Sequence, residues 1–153
     1  MFQWVRLLFS KPPPHTSLTS YTAWNGVLYM LMGATFYSWP GSTQVLLRAP
    51  PFQAGELGLV RALGMTIALI GYFYFFGART GQDRFGVATI LDRLIVPVLL
   101  VPLVVMGEIS PQLGVPFAVL DPILAIGAWA IFARSHSKIA PASAVLPPGT
   151  APH

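Results

Sequence analysis

The sequence predicts an all-α integral membrane protein: a four-helix bundle with both termini in the cytoplasm. Three observations carry that expectation. The 153-residue chain is 54% hydrophobic and only 9% charged, with a mean hydropathy of +0.64, where a soluble domain carries about a quarter charged residues. Apolar runs long enough to cross a bilayer, which takes ~20 helical residues, fall at residues 19–39, 57–77, 87–107 and 112–133. Arg6, Lys11, Arg79, Arg84, Arg134 and Lys138 fall on one side of that layout and only Arg48 in a loop on the other, the bias that marks the cytoplasmic side of a bacterial inner membrane.

Composition also excludes. With no cysteine, disulfides, zinc–thiolate sites, iron–sulfur clusters and thiol catalysis have no ligand or nucleophile. The net charge of +4 comes from basic residues scattered singly near helix ends, a topology signal rather than the clustered patch that nucleic acid requires.

Residues 1–18 form an N-terminal segment whose start, MFQWVRLLFS, is too short to span but suited to lying along the membrane surface. Lys11-Pro12-Pro13-Pro14 interrupts this run and no small-x-small cleavage site follows, so the segment is expected to be retained. In the first span, Ser17, Thr19 or Ser20 is the expected N-cap and Pro40-Gly41 the stop, with Trp24 and Trp39 near the two interfaces. Gly26 and Gly33, seven apart, share a face that admits another helix closely, and Gly64 and Gly71 repeat the pattern in the second span. Between these spans, residues 43–48 can form a short interfacial helix. Glu56 precedes the second span as a helix-start carboxylate does. There Arg61, Gly64, Ala68 and Tyr72 recur at helical spacing and predict a small, polar face. Pro97 and Pro102 predict a kink in the third span, Asp121-Pro122 lies near the middle of the fourth, and residues 134–153, rich in proline and small residues, read as a disordered tail.

Depth singles out the ionisable residues. At ~1.5 Å rise per residue, Asp121 falls about 13 Å below the outer surface, Asp92 and Arg93 about 8 and 9 Å above the inner one, and Arg61 about 6 Å below the outer one. Charges in hydrocarbon are costly enough to require partners or a role, so Arg61, Asp92, Arg93 and Asp121 form the candidate cluster, with Tyr72 or Tyr74 offering a phenol. The cluster reads in three ways: as paired charges that lock the helices in register, as a pocket for a proton, a quinone head or a small polar ligand, or as Arg61 and Arg93 snorkelling to their nearest interfaces with little other role.

No catalytic or metal constellation stands out. His15, His136 and His153 all lie in the expected cytoplasmic segments, which leaves a membrane haem without axial ligands. No paired histidine motif offers a metal site, no Gly-x-Ser-x-Gly or phosphate loop occurs, and Met30, Met32, Met65 and Met106 read as packing rather than as a copper path. No cofactor is expected.

The run Glu56-x4-Arg61-x2-Gly64, with Ile70-Gly71-Tyr72-x-Tyr74, Gly77-Ala78-Arg79, Leu91-Asp92-Arg93, Pro97 and Leu120-Asp121-Pro122-x-Leu124-Ala125, resembles the small four-helix bacterial membrane proteins grouped as DoxX-like, and among them the BphX-like proteins. The likeness covers about residues 24 to 133. It implies a four-helix membrane protein without established enzymatic activity, with relatives linked to redox enzymes, thiosulfate–quinone chemistry or aromatic catabolism.

Three functions follow as expectations. The first is a non-catalytic accessory or scaffold protein that joins a larger membrane or redox complex, or its own copies, through its glycine faces. The alternative is a protein that handles a proton, a quinone or another small hydrophobic ligand at the Arg/Asp cluster. An enzyme acting on a lipid-like substrate has only Glu56 and Glu108 as an acidic pair on the outer side.

Overall fold

A computed structural model describes residues 16–53 and 55–137. Five helices follow in order among the described residues: α1 (Ser17–Ser38), α2 (Ser42–Leu47), α3 (Glu56–Ala78), α4 (Asp83–Val105) and α5 (Pro111–Ser137), with no strand. Most of the expected N-terminal interfacial segment lies outside the described residues. So does the tail from residue 138 on; residues 134–137 complete α5.

Helices α3, α4 and α5 are long and apolar enough to cross a membrane, so the chain has the build of a multi-pass protein in a lipid bilayer. Helix α1 has the length, 22 residues or ~33 Å, but a lower apolar average. The reason is local: Thr19, Thr22 and Asn25 are polar and buried, so α1 turns its polar side chains toward its neighbours and shows the outside Trp24, Leu28 and Leu31.

The N-cap of α1 is Thr16, one residue before the expected candidates. Its hydroxyl oxygen accepts from Thr19 N–H at 3.1 Å and its O–H donates to Asp83 Oδ1 at 2.6 Å. The start of α1 is thereby tied to the first turn of α4, where an acidic residue also suits the helix dipole.

Helix α1 packs chiefly on α3 and α4 on α5, while α3 and α4 meet little despite being consecutive. The α1–α3 contact is antiparallel and runs through glycine. A Cβ on Gly26 would lie 2.7 Å from the Gly71 carbonyl oxygen, and one on Gly33 would lie 2.5 Å from that of Gly64. From the other side, a Cβ on Gly64 or Gly71 would lie 2.5 Å from the backbone nitrogen of Tyr37 or Met30. The seven-residue spacing on both helices keeps the seam facing its partner, as a heptad repeat does.

That seam fixes which residues of α3 are inside. The buried stripe is Val60, Gly64, Ile67, Gly71, Tyr74 and Ala78, two interleaved seven-residue rows. Tyr29, Phe36, Ile67 and Tyr74 form the core, and Phe117 of α5 packs edge-on against Phe36 with ring centroids 6.2 Å apart.

Helix α4 starts at Asp83 rather than near Val87 and continues through Pro97 and Pro102. Each proline withholds the N–H that would have bonded four residues back, and for Pro97 that is the carbonyl of Arg93. A tight turn leads into α5, with Gly107 at φ +77°, a conformation that glycine adopts without steric cost.

Candidate functional site

Because α4 begins at Asp83, Asp92 lies ~14 Å along it from its start, and Asp121 lies ~15 Å into α5 from Pro111. Both carboxylates are thus near mid-span. Asp121 and Arg93 are buried, Arg93 to 1% relative exposure, whereas Asp92 is on the exposed side of α4.

Arg93 is held chiefly by an aromatic ring and an amide. Its guanidinium carbon stands 4.7 Å from the centroid of the Tyr74 ring. With the Asn25 amide turned as its neighbours require, the amide oxygen accepts from both terminal nitrogens of Arg93 at 3.3 Å. The buried Nε has no hydrogen-bond partner, and no ion pair reaches Arg93 among the described residues. An arginine at the centre of a spanning helix costs about 2.5–3.5 kcal/mol on an insertion scale. A desolvated cation–π contact returns ~2 kcal/mol, and hydrogen bonds to a charged group ~1.5–3 kcal/mol. Asn25 and Tyr74 therefore offset part of that cost, and the bare Nε is left uncompensated.

Each carboxylate instead meets a phenol. The Tyr74 hydroxyl donates to Asp92 Oδ2 and the Tyr29 hydroxyl donates to Asp121 Oδ1. The two rings pack edge to face, centroids 5.7 Å apart at 75°. Four helices thus contribute: Asn25 and Tyr29 from α1, Tyr74 from α3, Asp92 and Arg93 from α4, and Asp121 from α5. Two separate hydrogen-bonded pairs, Tyr74–Asp92 and Tyr29–Asp121, thus meet through the edge-to-face contact of their rings, with Arg93 over the Tyr74 ring.

Of the four ions and two alternative phenols the sequence singles out for this cluster, the structure gathers Asp92, Arg93, Asp121 and Tyr74. Arg61 and Tyr72 stand outside it. Each is one residue past a member of the buried stripe, Val60 and Gly71, and one residue turns a helix by ~100°. Arg61 is exposed, and Tyr72 lies against Phe76 with ring centroids 4.6 Å apart. Tyr74, two positions on, is the phenol that enters.

Asn25 and Tyr29 escaped sequence reasoning, although a signal was present. An amide four residues before a tyrosine in an apolar helix places both on one face, and that face also carries the Gly26–Gly33 seam. The four glycines lie between α1 and α3, backbone against backbone, and are not free to receive another protein. Among the described residues no three potential ligands gather in a metal-binding group. No family model matches the chain, and no curated protein or solved structure does either.

Proposed function

We propose that the chain is a four-span membrane protein, both termini cytoplasmic, whose Arg93 cluster handles protons and a small hydrogen-bonding headgroup of the quinone type. A bacterial cytoplasmic membrane is the setting that fits its basic residues. The single observation that carries this reading is Arg93, an arginine buried at mid-span against the Tyr74–Asp92 pair, with an unpartnered Nε and no direct ion pair among the described residues. A brace built only for register would pair its charges directly, because each ion left single in low dielectric is expensive. Here the exposed Asp92 offers an acceptor to a molecule arriving from the bilayer, and the packed Tyr74 and Tyr29 rings bring the second pair, Tyr29–Asp121, beside the first. The DoxX-like and BphX-like resemblance supports the four-span layout and the link with redox chemistry.

The test uses the full chain in vesicles and nanodiscs, with proton flux read by an internal pH dye and binding read by titration of a short-chain benzoquinone. Wild type is expected to give flux, binding or both. Asp121→Asn, which keeps an acceptor for the Tyr29 hydroxyl, is expected to lower that signal at least about tenfold, a change of ~1.4 kcal/mol, with detergent melting unchanged. Absence of both signals in wild type, or a variant that loses only stability, overturns the reading.

A non-catalytic accessory role is the second reading. The observation in its favour is the apolar outer surface of α4, where Leu91, Leu94, Ile95, Val98 and Leu99 are all exposed. Under that reading a larger complex covers this face. Recovery of the protein alone and monomeric from mild detergent would count against it.

A further inference from the structure

The end of the bundle at which α1 finishes carries a cavity that the Arg93 cluster does not use. The α2 helix, the loop after it, the start of α3 and the α4–α5 turn line a half-open groove of about 320 Å³ there, the lower end of the range for small-molecule sites. Its walls are mostly apolar: Phe52, Val60, Leu63 and Leu113 contribute, with Val60 buried. Two carboxylates far apart in sequence, Glu56 at the first turn of α3 and Glu108 in the turn before α5, line the same space.

Glu56 Oε2 accepts from the backbone N–H of Gln53 at 2.6 Å. Neither carboxylate has an ion pair among the described residues, and no basic side chain lines the cavity. Of the two hydroxyls on the lining, that of Thr43 already donates to the Pro40 carbonyl at 2.9 Å, and the other is Ser110. Two negative groups at an apolar cavity with an aromatic ring beside it favour one chemistry over the rest. An anion is repelled and a bare metal ion finds too few oxygen ligands. A cation on an apolar body satisfies the carboxylates, the hydrophobic wall and the Phe52 face together.

We infer that this groove binds a small amphipathic organic cation, a protonated amine on an aromatic or alkyl body, between Glu56 and Glu108. The site is independent of the Arg93 cluster, and either can fail without the other.

The experiment is a ligand-observed NMR titration of the full chain in neutral maltoside detergent. Phenethylamine is compared with phenethyl alcohol, a neutral molecule of nearly the same shape. The amine is expected to bind at least about tenfold more tightly, with the preference shrinking as salt rises. The paired change Glu56→Gln with Glu108→Gln is expected to bring the amine down to the alcohol's affinity. Glu108→Gln alone, in an exposed turn where folding is not at stake, is expected to lose part of it. Equal binding of amine and alcohol, or undiminished amine binding by the variants, overturns the inference. Displacement of the amine by calcium at equal concentration, or by phosphatidylethanolamine, also overturns it, in favour of a metal or a lipid-headgroup site.

Discussion

The two helix pairs of this bundle are assembled in different ways. Between α1 and α3 the contact is backbone on backbone, made possible by Gly26, Gly33, Gly64 and Gly71 and closed by Tyr29, Phe36, Ile67 and Tyr74. Helices α4 and α5 have no such glycine seam. They contribute the buried Arg93 and Asp121, whose side chains reach toward α1 and α3 for their partners. In lipid no hydrophobic effect pulls apolar helices together, so close van der Waals packing and polar contacts do that work. Here the two devices are separated: the first pair is built on shape, and the second brings the charges that need the first pair's amide and phenols.

The sharpest way to break that comparison is at the seam. Gly33→Val places a Cβ 2.3 Å from the Ala68 backbone nitrogen, where no flexible side chain can yield. It should cost ~3 kcal/mol or more, read as loss of folded protein in detergent melting, whereas a valine at exposed Gly58, with nothing within 4 Å, should be far milder. Next comes the polar link between the pairs. Tyr29→Phe strips the donor from the buried Asp121 and should cost ~1–3 kcal/mol, and Tyr74→Phe should cost more, because Asp92 at mid-span then faces hydrocarbon with no water to replace the lost donor. If the two tyrosine variants melt alike, the division into a buried and an exposed carboxylate is wrong.

Arg93→Met separates function from stability. Replacing a buried cation that has no direct ion pair among the described residues by an apolar side chain of similar length should leave melting within ~1 kcal/mol of wild type or raise it, while proton flux or quinone binding disappears. A large loss of stability would make Arg93 a brace. The smallest effects belong outside the cluster: Arg61→Gln and Tyr72→Phe should stay within about 0.5 kcal/mol and leave the signal in vesicles intact.

Much of the scaffold was legible from the chain alone, because its signals are one-dimensional. A seven-residue glycine spacing in two apolar helices announces a seam, and continuous apolar runs announce α3, α4 and α5. The candidate site was legible only in part. Asp92, Arg93 and Asp121 stood out as ions in apolar surroundings, whereas deciding between Tyr72 and Tyr74, and whether Arg61 belongs, depended on the rotation of α3 about its axis. The depth of Asp92 depended on where α4 begins, and the charged pair Asp83-Arg84 disguised a first helical turn as a loop.

By itself the sequence determined that the protein is helical, suited to lipid and closely packed through glycine, since composition and spacing follow from residue order whatever the neighbours do. Only the tertiary structure decided that Arg93 rests on Asn25 and the Tyr74 ring instead of on a carboxylate. That outcome depends on which residues four separate helices bring to one depth and one angle, and a linear sequence encodes neither coordinate directly.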